Sequence, residues 1–254
     1  MENGIDLDII HARLLKMGKT IHEICETNNI PYYMLGGTML GAIRHKGFIP
    51  WDDDMDFGIM RQDMERFILA CEKNLSFPYC LETPDKHPYS LSESCKIIDT
   101  QTIVREQGIS ITFHLFIDIF PLDYSTNIWG YFSRNKWIVR TGRWGMYHKD
   151  KQLFHKKGLR VIPMKIIPAC IWKKIHRALI STKGDYISNY SGHWEERETV
   201  PVSCMEEPRL YNFEDFHFYG PSDPHTYLMC LYGDYMQLPS EDKRSTHIIS
   251  FEIR

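Results

Sequence analysis

Two stretches of this chain set charges inside what would otherwise be core strands. In "DMDFGI", Asp54 and Asp56 alternate with Met55 and Phe57, and in "FIDIF", Asp118 stands between Ile117 and Ile119. Side chains alternate across a strand, so residues two apart share a face. Asp54 and Asp56 therefore point one way while Met55 and Phe57 point into the core. A lone charge in a core strand is costly, and neighbouring carboxylates resist joint ionisation unless a cation neutralises them. The pattern predicts a sheet buried on one face and lined with acids on the other, where something positive is required.

The flanking sequence supplies helices and strands for such a sheet. Leu7, Ile10, Leu14, Met17, Ile21 and Ile24 recur every three or four residues, which predicts a packing helix from near Asp6 to near Asn28 and Asn29. "PYYMLG" reads as a short buried strand broken by Gly36 and Gly37, and "TMLGAIRHK" as a short helix with Thr38 at or near its cap. "MDFGIM" is a second strand. "RQDMERFILACEKN" is a helix with Met64, Phe67, Ile68 and Cys71 inward, and "SCKIIDTQTIVRE" holds one or two strands. "HLFIDIFPLD" is a strand expected to stop at Pro121. Beyond residue 200 the pattern gives short strands and a helix near "DPHTYLMCLYG".

Charge is unevenly spread. Residues 125–185 carry 14 Lys and Arg against Asp150 and Asp185, a balance of +12, while the rest of the chain stands at -15. Trp129, Tyr131, Trp137, Trp144 and Tyr147 are interleaved with these cations. A basic, aromatic segment of this kind suits an anionic partner, and an anionic membrane surface is the expected one. Solvated helices that merely balance the acidic core are the alternative. No recognised nucleic-acid motif accompanies the charge, which argues against a nucleic-acid partner. No run of about 18 apolar residues exists, and "MENGIDLDIIHARLLK" lacks the form of a signal peptide. The seven cysteines form no C-x-x-C pair, and their odd number fits a reducing compartment. A cytoplasmic protein, peripheral at the inner face of the membrane, is expected.

The acids point to metal chemistry. Mg²⁺ prefers oxygen ligands and usually takes one or two protein carboxylates together with phosphate oxygens. Upstream, "LGGTMLG" sets two glycines and a hydroxyl at a strand-to-helix turn, where backbone N–H groups and a helix N-terminus can meet a phosphate. A Gly-Gly turn, then an acid-hydrophobic-acid strand, then a third acid on a later strand resembles the nucleotidyltransferase superfamily. Within it, "YYMLGGTMLGAIRHKGFIPWDDDMDFGI", "FIDIFPLD" and "LYGDYMQLPSEDKR" followed by His247 resemble the LicD family of bacterial phosphotransferases. Fukutin and fukutin-related protein are its eukaryotic relatives. The resemblance covers the first 123 residues and returns near 228–247.

The resemblance implies an α+β fold, a nucleotidyltransferase-like mixed sheet flanked by helices with a basic helical insert. The expected division is a catalytic core over 1–124, a basic region over 125–199, and a segment over 200–254 packing back on the core. It implies transfer of phosphocholine, or a similar alcohol phosphate, from CDP-choline or another CDP-alcohol. The acceptor would be a sugar hydroxyl of a lipid-linked glycan or teichoic acid precursor, and CMP would be released. Asp54, Asp56 and Asp118 would be catalytic and would hold one or two Mg²⁺ ions, with Mn²⁺ able to substitute; Asp118 is the candidate proton acceptor. Gly36, Gly37 and Thr38 would line the donor phosphates. Arg44 and Lys46 are expected on phosphate, His45 less so, and Lys243 and His247 would bind the donor or close over it. Asp52 and Asp53 read either as supporting acids or as turn caps, and Trp51 as a packing residue. The rival readings are a metal-dependent glycosyltransferase using a sugar nucleotide, and a non-catalytic metal- or nucleotide-binding module.

Overall fold

The computed structural model describes residues 6–84, 93–106, 112–126, 171, 174, 180–192, 195–244 and 246–254. The basic stretch, including Arg134, Lys136, Arg140, Arg143, Lys156 and Lys157, lies outside the described residues.

Helix α1 (Leu7–Thr27) starts where the periodic pattern does. The Asp6 side chain accepts from the N–H of Asp8 and caps it, while Ile10, Leu14, Met17, Ile21 and Ile24 are buried along one stripe. Strand β1 (Tyr33–Met34) leads into α2 (Gly36–Arg44). This helix begins two residues earlier than the pattern suggests. Gly36, at φ +47°, forms its first residue, and Thr38 lies inside the first turn rather than capping it. Then come β2 (Asp56–Met60), α3 (Arg61–Asn74), β3 (Tyr79–Glu82), β4 (Cys95–Glu106) and β5 (Phe113–Ser125). The later strands are β6 (Tyr186–Asn189), β7 (Thr199–Pro201), β8 (Arg209–Phe213), β9 (Phe216–Gly220) and β10 (Ile248–Ile253), with α4 (Pro224–Tyr232) between β9 and β10.

Eight strands make one mixed sheet among the described residues, with β1, β2, β5, β4 and β10 as its main path. Strands β2 and β5 are parallel, and the other pairings are antiparallel. Strands β8 and β9 form a separate hairpin. Helices α1 and α3 lie against β5 and β2 and bury Phe57, Ile59, Ile117 and Ile119. This is the core face that the alternation of acids and apolar residues requires. The fold is α+β and nucleotidyltransferase-like.

Strand β5 does not stop at Pro121. On one flank β4 ends at the pair Cys95–Ile119 and β6 begins at Leu122–Asn189. Pro121 falls in the interval between them, so its missing N–H costs no ladder bond on that flank. "SCKIIDTQTIVRE" is a single strand, and its register against β5 shifts between Asp99 and Val104.

Candidate active site

The register brings the acids together. Asp56 on β2 pairs with Asp118 on β5, Asp118 pairs with Lys96 on β4, and Lys96 pairs with Glu82 on β3. One rung of the sheet thus carries two carboxylates, an ammonium and a third carboxylate. Asp54 sits two residues ahead of Asp56, beyond a fully buried Met55. Lys96 Nζ is 2.9 Å from each oxygen of Asp118, yet Oδ1 of Asp118 is buried and accepts no well-directed hydrogen bond. The same ammonium lies 3.3 Å from the centroid of the Phe116 ring.

Helix α2 aims its first turn at this rung. A side chain on Gly36 would come within 3.7 Å of Asp56 Oδ2 and of the Tyr232 hydroxyl, and one on Gly37 would strike Asp52 Oδ2 at 2.6 Å. Gly36 holds a left-handed φ that favours glycine, and a side chain on Gly37 would require Asp52 to move. The Thr38 hydroxyl accepts from the N–H of Asp56 at 2.8 Å, which ties the helix to the strand. The helix has no side-chain cap. The N–H of Gly36 donates to the buried Tyr227 hydroxyl at 2.9 Å. Helix α4 therefore supplies Tyr227 and Tyr232 to the same corner.

The loop before β2 divides its carboxylates between two tasks. Asp53 is buried and accepts from the N–H groups of His247 and Ile248, each at 2.7 Å, and from Nδ1 of His247 at 3.2 Å. It fastens the start of β10 to the acid loop. That contact pushes His247 up to about 9. Asp52 turns the other way, toward Gly37, while its carbonyl meets His11 Nε2 at 2.7 Å. His11 is itself stacked on Phe48, with ring centroids 4.2 Å apart.

Burial and mutual repulsion dominate the electrostatics. Burial, then Asp54 and Asp53, push Asp52 up to about 8. Burial followed by Asp53 raises Asp54, and burial followed by Asp54 and Asp118 holds Asp56 well above the ordinary carboxylate range. Without added cations, Asp52 retains its proton at neutral pH.

The structure thus places Gly36, Gly37, Thr38, Asp54, Asp56 and Asp118 around one point. Arg44 lies within electrostatic reach of Asp52, and His247 within reach of Asp52 and Asp54, and both also tie the C-terminal segment to these acids. Arg44 donates to the carbonyl of Tyr235 at 2.8 Å, and Nε meets His45 Nε2 at 3.0 Å. Lys46 is exposed in the left-handed region at φ 65°, and its carbonyl accepts from the N–H of Glu214. The backbone of Lys243 closes a short 3-10 turn, Glu241–Lys243. Trp51 packs under Arg244, whose guanidinium carbon is 4.8 Å from the ring centroid. Sequence reasoning passed over Lys96, His11, Tyr227 and Tyr232. For Lys96 a signal exists: between Cys95 and Ile97 it breaks a core strand as Asp118 does.

Among the described residues no three His, Cys, Asp or Glu are drawn into a ready-made metal cage. The donor set nonetheless suits a hard divalent cation. Asp54, Asp56 and Asp118 offer only oxygens, and Oδ1 of Asp118 is buried without a hydrogen-bond partner.

A mixed sheet with in-register acids on β2 and β5, faced by a glycine-opened helix, defines a nucleotidyltransferase-type domain. The profile of "LicD/FKTN/FKRP, nucleotidyltransferase domain" matches residues 29–168, more than half of the chain, and the chain belongs to that family. It is 29% identical over 245 aligned positions to the lipopolysaccharide cholinephosphotransferase LicD of Haemophilus influenzae, covering 90% of each chain. It is 26% identical over 152 positions to mouse ribitol 5-phosphate transferase FKRP, covering 58% of this chain and 24% of that one. An uncharacterised Rickettsia typhi protein is 50% identical over 66 positions, covering 25% of this chain and 21% of its own.

Proposed function

We propose that this protein transfers phosphocholine, or a closely similar alcohol phosphate, from a CDP-alcohol to a sugar hydroxyl of a surface-glycan precursor, releasing CMP. The observation that carries the reading is the Asp56–Asp118 register beside the glycine-opened start of α2, on a chain that aligns along most of its length with a cholinephosphotransferase. The relative named for ribitol 5-phosphate transfer supports an alcohol phosphate as the moving group.

Asp54, Asp56 and Asp118 would hold Mg²⁺, which supplies charge neutralisation for a phosphoryl group in flight. The protein's remaining work is positioning, since phosphoryl transfer asks for alignment and charge stabilisation more than for covalent chemistry. The first turn of α2 presents backbone N–H groups and the positive end of its dipole to the donor phosphates. Thr38 fixes that turn to the strand bearing Asp56. Asp118 is the proposed proton acceptor for the incoming sugar hydroxyl. Tyr232, half-buried, places its hydroxyl beside Gly36 at the same corner.

The test is a donor screen by mass spectrometry with CDP-choline, CDP-ethanolamine, CDP-ribitol, CDP-glycerol and a panel of UDP-sugars, watching for CMP. CMP release from a CDP-alcohol, lost in Asp56→Asn, is expected. Turnover of a UDP-sugar alone would establish the glycosyltransferase reading. Nucleotide binding that survives Asp56→Asn, with CMP released by neither the variant nor wild type, would establish a binding module.

A further inference from the structure

We infer that Lys96 is the resident counter-cation of the acid site, and that a divalent ion must displace its ammonium from Asp118 in order to bind. The inference rests on the functional reading above for the identity of the metal ligands. It rests on geometry for the role of Lys96.

Three observations point the same way. Lys96 is the cross-strand neighbour of Asp118, as Asp56 is on the other side, so the three lie on one rung. Its Nζ is equidistant, at 2.9 Å, from both oxygens of Asp118, the position a cation takes against a carboxylate it neutralises. Oδ1 nevertheless receives no directed hydrogen bond while buried. The ammonium therefore neutralises the carboxylate without saturating its lone pairs. The contact is also built to be left. The Lys96 side chain is 32% exposed, and its ammonium already lies 3.3 Å from the Phe116 ring centroid, a contact that does not depend on Asp118. Because the ammonium sits equally close to both oxygens, a divalent ion that takes either one at ligand distance is brought close to it, and like charges that close repel strongly. The two cations are therefore alternatives at Asp118. Once released, Lys96 stays one strand away from the donor's phosphates, with its charge intact.

The roles separate in binding, not only in turnover. Lys96→Met keeps the stem over Phe116 and removes the charge, and Lys96→Arg keeps the charge. Mn²⁺ affinity is measured by electron paramagnetic resonance, and melting temperature is followed with EDTA and with Mg²⁺. Lys96→Met is expected to bind Mn²⁺ at least fivefold more tightly than wild type, to melt lower in EDTA, and to gain more from Mg²⁺; Lys96→Arg should stay near wild type. Unchanged or weaker Mn²⁺ binding by a folded Lys96→Met overturns the inference, even if CDP-alcohol turnover by wild type is intact. If Lys96→Met fails to fold, the wild type decides. With its lysines ¹³C-methylated, the Lys96 resonance, assigned by its loss in Lys96→Arg, should move on addition of Mg²⁺, and a stationary resonance overturns the exchange. Failure of both wild type and Lys96→Met to bind any divalent ion would overturn this inference together with the functional reading.

Discussion

Asp52 shows how one side chain can carry a cost that another ligand removes. Its carboxyl is pushed up to about 8 by burial and by Asp54 and Asp53, against about 3.9 for an unfolded aspartate. A folded-state value above the unfolded one means the folded protein holds the proton more tightly. That contribution is fully present below pH 4 and is lost as pH rises through 8. His247, raised to about 9, has the same sign over a higher window, from about 6.5 upward. Its imidazole is two-thirds exposed, so solvent screens much of that effect. In EDTA, the melting temperature should therefore fall between pH 5 and pH 8 by on the order of 5 °C. Asp52→Asn should flatten part of this slope, Asp54 and Asp56 supplying more of the same sign, and saturating Mg²⁺ should oppose it. Differential scanning fluorimetry across pH checks both outcomes.

Elements were legible in proportion to how local their causes are. Helix α1 was readable in full, because a cap and an apolar stripe are local signals. The start of α2 was misplaced by two residues because Gly36 and Gly37 look like punctuation. Their real constraints are the left-handed φ of Gly36 and, at Gly37, the approach of Asp52 from 15 positions away. Pro121 misled for a similar reason: whether a missing N–H matters depends on which neighbour flanks it. In the candidate site, the acids stood out because charges are expensive in core strands. Lys96 obeys the same rule, but only the register shows that it faces Asp118. Asp53 was read as a supporting acid or a turn cap, and the structure gives it the task of anchoring an element. It accepts two backbone N–H groups at the head of β10, and bonds to a charged acceptor contribute about 1.5–3 kcal/mol each. Asp53→Ala should destabilise the protein by about 2–4 kcal/mol. Amide hydrogen exchange should quicken over Ile248–Ile253 before it changes over α3, and uniform quickening would show that β10 has no separate anchor.

At the scale of the whole molecule, stability and chemistry sit at different ends of the same strands. Beyond the acid rung, β2 runs straight into Arg61, whose guanidinium donates to both oxygens of Asp123 at 2.5 and 2.7 Å and meets Glu93 Oε2 at 2.6 Å. Asp123 and Glu93 are almost wholly buried. Breaking a buried pair by neutralising one partner leaves an uncompensated charge and costs about 3–5 kcal/mol. Asp123→Asn should lower the denaturation midpoint accordingly while leaving turnover per folded molecule close to wild type. Loss of turnover in folded protein would show that the two ends are coupled. The basic region 125–185 bears on where the molecule works. No described helix is long and apolar enough to cross a membrane, and each Lys or Arg near an anionic leaflet contributes about 1 kcal/mol. Salt-sensitive co-sedimentation with anionic but not neutral vesicles is expected. It should be lost when Arg134, Lys136, Arg140, Arg143, Lys156 and Lys157 become Gln, and indifference to lipid charge would leave the region as scaffold.

The bond between Asp53 and the backbone at His247 and Ile248 spans 194 and 195 positions of the chain. On a ribosome adding about 5–20 residues per second, the acid loop waits about 10–40 s for the segment that fastens it. During that interval four closely spaced carboxylates have their strand neighbours at Asp118 and Lys96 but not their C-terminal tether. The acid loop is thus made well before the segment that fastens it. A nascent chain halted before His247 would hold Asp52, Asp53 and Asp54 in a loop with one end untied.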